Sequence, residues 1–217
     1  MVRASDIYKM FRNIVAEHYR VPSENEIHVH EVVQCLRKSY YERKYGSSDF
    51  NHLSDTKCVI LGLGLITHDA LEALFMEYFK ADVEVPFELE FRIRDRKFKL
   101  VGTVDIALED SIVDIKTVNK IPDRPYEHHY DQVQLYMYLS DAPIGYIVYI
   151  CKKDGRVKVF QVTRDENRIS HLLNRAYDYA IHLIEDKVPP AEPNVLCKYC
   201  EYSLKCFSDD KKEVGNK

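Results

Sequence analysis

Tryptophan is absent from the 217 residues, and the sixteen tyrosines and nine phenylalanines carry all of the benzenoid aromatic content. No uninterrupted apolar run approaches the roughly 20 residues that a membrane-spanning helix needs, so no membrane association is expected. The opening Met1-Val2-Arg3-Ala4-Ser5-Asp6 lacks the long apolar stretch of a secretory signal. The expectation is a soluble, cytoplasmic protein. An excess of positive charge is missing too: 31 Lys and Arg stand against 35 Asp and Glu, a net charge of −4, with a pI near 6.1. That excludes a uniformly basic nucleic-acid-binding surface. Any contact with DNA then falls to local clusters, namely Arg92, Arg94, Arg96, Lys97 and Lys99, or Lys152, Lys153, Arg156 and Lys158. Internal repeats and low-complexity segments are also missing. Hydrophobic residues supply 46% of the chain, enough for a core, and the length suits one domain over residues 1–217.

The most informative stretch is 101–116, Val-Gly-Thr-Val-Asp-Ile-Ala-Leu-Glu-Asp-Ser-Ile-Val-Asp-Ile-Lys. Two apolar runs flank the polar turn Glu109-Asp110-Ser111, the pattern of a hairpin. Alternation along a strand sets Asp114 and Lys116 on one face, with Val113 and Ile115 on the other. Asp105, on the neighbouring strand, reaches the same place. Two carboxylates and an ammonium then converge at one sheet edge, which is costly without a partner. A hard divalent cation such as Mg²⁺ or Mn²⁺ resolves the conflict, because it takes oxygen ligands. The plainer reading is a surface hairpin with an Asp–Lys pair, since Asp-x-Lys is a frequent tripeptide.

Around this hairpin, helical spacing covers 5–19, with Ile7, Met10, Phe11, Ile14 and Val15 inward. Spacing also predicts helices over 30–45 and about 62–80. In the third, His68, Leu71, Phe75 and Tyr78 fall on one stripe. A polar loop runs from Gly46 to about Lys57. Alternation over Val83–Ile93 and Phe98–Leu108 predicts two strands joined at Arg94–Lys97, and with 111–118 they form a meander. Residues 126–140 return to helix, with Gln132 and Tyr136 on one face. A hairpin about Asp154-Gly155 follows, and then a capping-box pattern, Thr163 to Glu166. That box opens a long helix with Ile169, Leu172, Leu173, Ala176, Ala180 and Ile184 inward, ending before Pro189-Pro190.

Six cysteines are present. Cys58 and Cys151 sit in apolar runs and read as buried thiols. Cys197-x2-Cys200-x5-Cys206 follows a Pro-rich linker and needs a fourth ligand, for which Cys35, mid-helix beside Arg37 and Lys38, is the best candidate. An intracellular chain disfavours disulfides. Metal ligation remains, as zinc or as an iron–sulfur cluster.

In order, these elements resemble the PD-(D/E)xK nucleases of the RecB-like branch. Gly102-Thr103-Val104-Asp105 matches the form G-x-x-D, Asp114-Ile115-Lys116 matches D-x-K, and Gln132-x3-Tyr136 matches Q-x-x-x-Y; the signature proline is absent, its place held by Val104. The resemblance implies a restriction-endonuclease-like α/β fold, a mixed β-sheet flanked by helices. Its core would span about 60–187, and the N-terminal helices would be tied to a C-terminal cysteine cluster built from the 30–45 helix and 190–210. It further implies that His68, Asp105, Asp114 and the Ile115 carbonyl hold Mn²⁺ or Mg²⁺, and that Lys116 serves the attacking water. Gln132 and Tyr136 would position substrate and lysine. Cys35, Cys197, Cys200 and Cys206 would hold an iron–sulfur cluster, [4Fe–4S] favoured over [2Fe–2S]. In so short a chain the set is similar to the CRISPR-associated Cas-four exonucleases. That similarity implies a metal-dependent exonuclease on single-stranded DNA or single-stranded ends, 5′→3′, working with the CRISPR integrase in adaptation. Homo-oligomers stay open. The alternatives are a RecB-like nuclease of general repair and a non-catalytic DNA-end-binding adaptor.

Overall fold

A computed structural model describes residues 2–18, 22–46 and 53–215. Helix α1 (Ala4–His18) leads to strand β1 (Glu26–His28), helices α2 (Val29–Val33) and α3 (Leu36–Tyr45), and the long α4 (Asp55–Phe79). Three strands follow, β2 (Asp82–Ile93), β3 (Arg96–Ala107) and β4 (Ser111–Val118). Then come α5 (Glu127–Ser140), the hairpin β5 (Ile144–Cys151) and β6 (Val157–Thr163), and α6 (Glu166–Ile184). A 3₁₀ turn (Val195–Tyr199) and α7 (Ser203–Gly215) close the chain.

The six strands form one mixed sheet. β2 runs antiparallel along the whole of β3. The other edge of β3 is shared: β1 pairs parallel at Lys99–Val101, and β4 pairs antiparallel at Ile106 and Ala107. β4 and β5 are parallel through eight residue pairs, and β6 closes the sheet antiparallel to β5. The main core joins β1, β3, β5, α2, α3, α5 and α6 and includes Leu100, Val104, Ile147, Leu135 and Leu172. A smaller cluster, Ile106, Val113 and Ile115, packs against Leu71 and Phe75 of α4. Val113 and Ile115 therefore face α4, and the alternating Asp114 and Lys116 face the other way.

Several expectations from sequence need correction. The 30–45 helix is broken, and Cys35 is the N-cap of α3 rather than a mid-helix residue. The third helix starts at Asp55, capped by the Ser54 side chain, and runs through Gly62. Gly62 is not a boundary: a Cβ there would sit 2.6 Å from a Phe11 ring carbon, so the glycine lets α1 lie close on α4. The lengthened α4 averages a hydropathy of 1.6 over an 18-residue window. By length and composition it could cross a membrane, contrary to the expectation from uninterrupted runs. Only 17% of that window is buried. Tyr78 at its end is 72% exposed, so the inward stripe stops at Phe75. On α1, Ile7 and Met10 are exposed and only Val15 is buried.

Asp165, rather than Thr163, caps α6, accepting hydrogen bonds from the Asn167 and Arg168 N–H groups. The cysteine-rich tail forms a 3₁₀ turn and a helix. Residues 47–52 of the polar loop and Tyr19 lie outside the described residues.

Candidate active site

The site forms where β3 and β4 part. Their ladder holds at Ile106–Val113 and Ala107–Ile112. One further step in that register would set Asp105 opposite Asp114. Instead the Ile115 N–H donates to Asp105 Oδ2 at 2.7 Å. The carboxylate thus takes the place of a strand partner for an amide that burial would otherwise leave unsatisfied. The same oxygen lies 3.6 Å from His68 Nδ1, reaching in from α4.

Asp114 is 0% exposed. Its Oδ1 accepts a 2.9 Å hydrogen bond from Lys116 Nζ, and its Oδ2 is buried without a partner among the described residues. Burial pushes this carboxyl up to about 7; Lys116 opposes the rise and Asp105 adds to it. For Lys116, burial alone would lower the pKa, but Asp114 and Asp105 outweigh it and the ammonium is held more firmly than usual. The lysine side chain keeps 19% of its exposure, enough to meet an incoming group.

Gln132 and Tyr136 lie one turn apart on α5, with the Gln132 Nε2 donating to the Tyr136 hydroxyl at 2.7 Å. Tyr136 is buried, and burial, with the nearby Asp114 charge, raises its phenol. Its ring lies over Gly102, where a Cβ would come within 2.7 Å of Cε1. The glycine of G-x-x-D is therefore a packing requirement that lets α5 approach the strand bearing Asp105.

Sequence reasoning missed Glu72 and two histidines. Glu72 is only 6% exposed, and its Oε1 is buried without a partner among the described residues. Burial, followed by Glu84, Asp105 and Asp69, pushes its carboxyl up to about 7. A carboxylate oxygen of Glu72, a ring nitrogen of His68 and a carboxylate oxygen of Asp105 all lie within 4.8 Å of one another. The signal was available: Glu72 follows His68 by one helical turn, on the same face. His128 and His129 open α5. Burial and then the Lys116 charge lower both, His129 to about 2, and the His129 Nδ1 pairs with the Tyr149 hydroxyl at 2.7 Å. The oxygen and imidazole donors and the two orphaned carboxylate oxygens suit a divalent cation. Beside them a cavity of about 1140 Å³ runs from His68 and Thr103 past His28 and His30 to Lys38.

The C-terminal tail returns to α3. Cys35, Cys197, Cys200 and Cys206 are free, half-buried thiols. Arg37, 2% exposed, donates from Nε to the Pro189 carbonyl at 2.7 Å, and its Nη1 lies 3.6 Å from Cys206 Sγ. Glu192 accepts from the Leu36 N–H and from Arg175. These hydrogen bonds join α3 to the tail, and the thiols carried on the two segments are, by their chemistry, a donor set suited to a thiolate-ligated cluster.

Of the basic candidates, Lys99 pairs with Glu88, Arg94 with Glu185 and Arg156 with Asp154. Lys158 donates to the Pro122 and Asp123 carbonyls. These residues brace the fold at its surface rather than forming one free basic strip.

The PD-(D/E)XK nuclease superfamily matches residues 11–207, so the chain belongs to it. More particularly, it is similar to the CRISPR-associated exonuclease Cas4 of Saccharolobus solfataricus, with 28% identity over 196 residues, 86% of this chain and 89% of the relative. Among solved structures it is similar to SSO0001, at 26% identity and a TM-score of 0.72, covering 95% of this chain and 96% of that one. An alkaline exonuclease from Laribacter hongkongensis, 13% identical with a TM-score of 0.52, shares the fold over 75% of this chain and 89% of its own. The likeness to the Cas4 exonucleases read from the motifs therefore extends over nearly the whole chain.

Proposed function

We propose that this nuclease is a Mn²⁺- or Mg²⁺-dependent DNA exonuclease that trims single strands or single-stranded ends, 5′→3′, and serves CRISPR adaptation beside the integrase. The observation that carries the reading is the opened β3–β4 ladder, at which Asp105 accepts from the Ile115 N–H and the neighbouring Asp114 accepts from Lys116 at 2.9 Å. The kinship with Cas4 exonuclease supports the adaptation role.

His68, Asp105 and Asp114, with the Ile115 carbonyl, are the residues to hold the cation. When bound, it neutralises charge developing on the phosphate and acidifies water. Asp114 fixes Lys116 in place. Its ammonium, held charged by Asp114 and Asp105, orients the attacking water and stabilises the charge on the phosphate oxygens. Gln132 locks the Tyr136 hydroxyl, which closes the α5 side of the site. Cys35, Cys197, Cys200 and Cys206 hold an iron–sulfur cluster, [4Fe–4S] in preference to [2Fe–2S], that ties the two ends of the chain together.

Single-stranded DNA labelled at one end or the other, digested with Mn²⁺, tests the reading. Early release of a 5′ label with slow release of a 3′ label is the expected result. The reverse order overturns the polarity, and no release from either end overturns the exonuclease.

A further inference from the structure

Beside Lys116, on the α5 side of the sheet, stands a group of aromatic rings that the hydrolysis itself does not use. Lys116 on β4 is the register partner of Tyr149 on β5, and neighbouring strands lie about 4.8 Å apart. In-register neighbours share a face, so the lysine and the tyrosine point the same way. Tyr149 is 0% exposed and belongs to the main core. Against it lies Tyr126, the N-cap residue of α5, with ring centroids 6.0 Å apart and an interplanar angle of 84°. His129 packs edge-on to the same Tyr126 ring at 5.6 Å, and the His128 imidazole lies 15° from parallel to it at 5.9 Å. Hydrogen bonds fix the group. The Tyr126 N–H donates to the Tyr149 hydroxyl at 3.1 Å, and that hydroxyl lies 2.7 Å from the His129 Nδ1. The Lys116 charge reaches both imidazoles, where it adds to burial in lowering their pKa values. Seating α5 on the sheet accounts for Tyr149 and His129. It does not account for the Tyr126 ring, which is 44% exposed and makes no capping hydrogen bond.

We propose that Tyr126, braced by Tyr149 and His129, is a stacking platform for the unpaired base next to the phosphate that Lys116 meets. A rigid, partly open aromatic ring is what single-stranded nucleic acid stacks its bases on, and such stacking tolerates any base because every base has a π-face. The proposal rests on the nuclease reading above and deepens it. Tyr126 is a positioning residue rather than a catalytic one, and it gives the site a preference for single strands, since a base inside a duplex has both faces covered by its neighbours. The plainer alternative is a ring that only holds the start of α5 against β5 and touches no DNA.

Equilibrium binding of fluorescein-labelled single-stranded DNA separates the two, with Mn²⁺ and the full chain in a Lys116→Ala background that leaves the strand intact. One abasic position is walked along the strand from its end. This parent protein is expected to lose roughly 5- to 150-fold in affinity at one position near the end, the loss of a single base stack, and little elsewhere. Adding Tyr126→Ala is expected to weaken binding of the complete strand by the same factor and to remove the sensitivity to that abasic position. Tyr126→Phe, which keeps the ring, is expected to bind as the parent does. An affinity that no abasic position lowers overturns the platform, and that comparison needs no variant at Tyr126. Equal weakening of complete and abasic strands by Tyr126→Ala, the mark of a merely structural ring, overturns it as well. Cleavage is read separately, in protein that carries Lys116. Sensitivity to one abasic position without hydrolysis would sink the exonuclease and leave the platform standing; hydrolysis with no such sensitivity would do the opposite.

Discussion

At the scale of single residues, the site is held together by charges that the metal-free fold tolerates poorly. Asp114 and Glu72 have folded-state values near 7 against ordinary values of 3.8 and 4.5. In the window from about 4 to 7 the folded state therefore binds more protons than the unfolded one, and stability falls as pH rises. Their contribution is fully present below about 4 and is lost on passing through 7. Thermal unfolding in EDTA should accordingly show a midpoint that declines from pH 5 to pH 8, and Mn²⁺ should flatten the decline by supplying the missing counter-charge. Asp114→Asn should abolish cleavage and lower the EDTA midpoint, because it leaves the Lys116 ammonium without the carboxylate it bonds, whereas Glu72→Gln should make the decline with pH shallower. A flat metal-free profile, or an unchanged slope in Glu72→Gln, would contradict the burial of these carboxylates. The meeting of Asp105, Asp114 and Lys116 at one break in the sheet was legible in sequence because strand alternation fixes which side chains share a face. Glu72 was not, because an acid beside a histidine on a helix has no meaning until Asp105 arrives from a strand far along the chain.

At the scale of elements, β2 to β6 were read within a residue or two, since period-two patterning is strong over seven to twelve residues, whereas the three-residue β1 is too short to carry a pattern and was not read. The helices fared less well at their ends. Gly62 looked like a boundary to α4 and is instead the contact point of α1, a tertiary fact that no local pattern carries. Cys35 lies at a break between two helices whose combined run of helix-forming residues masks it. Gly102 offers the corresponding test. Gly102→Ala must push Tyr136 away, since its Cβ would come within 2.7 Å of the ring. Overpacking of this kind costs about 1–3 kcal/mol, and a lower denaturant midpoint should be accompanied by reduced cleavage as the Gln132–Tyr136 pair shifts. An unchanged midpoint would mean that α5 is not seated on β3 as described.

At the scale of the whole molecule, two centres organise the chain: the parted strands in the middle and the contact of α3 with the C-terminal tail. The buried Arg37 linking α3 to Pro189 and Cys206 was not legible in the sequence, because only the folded tail shows what a guanidinium can reach. If Cys35, Cys197, Cys200 and Cys206 hold an iron–sulfur cluster, Cys197→Ala should lose the brown chromophore and its iron and lower the thermal midpoint by several degrees, since ligation joining distant segments contributes folding free energy directly. Colourless wild type carrying stoichiometric zinc would contradict it. The central claim concerns the other centre, and digestion of end-labelled single-stranded DNA with Mn²⁺ tests it most directly, comparing wild type, Lys116→Ala and wild type in EDTA. Label release by wild type with Mn²⁺, and by neither of the others, is the predicted result. Undiminished release by a folded Lys116→Ala protein, or by wild type in EDTA, would contradict the account.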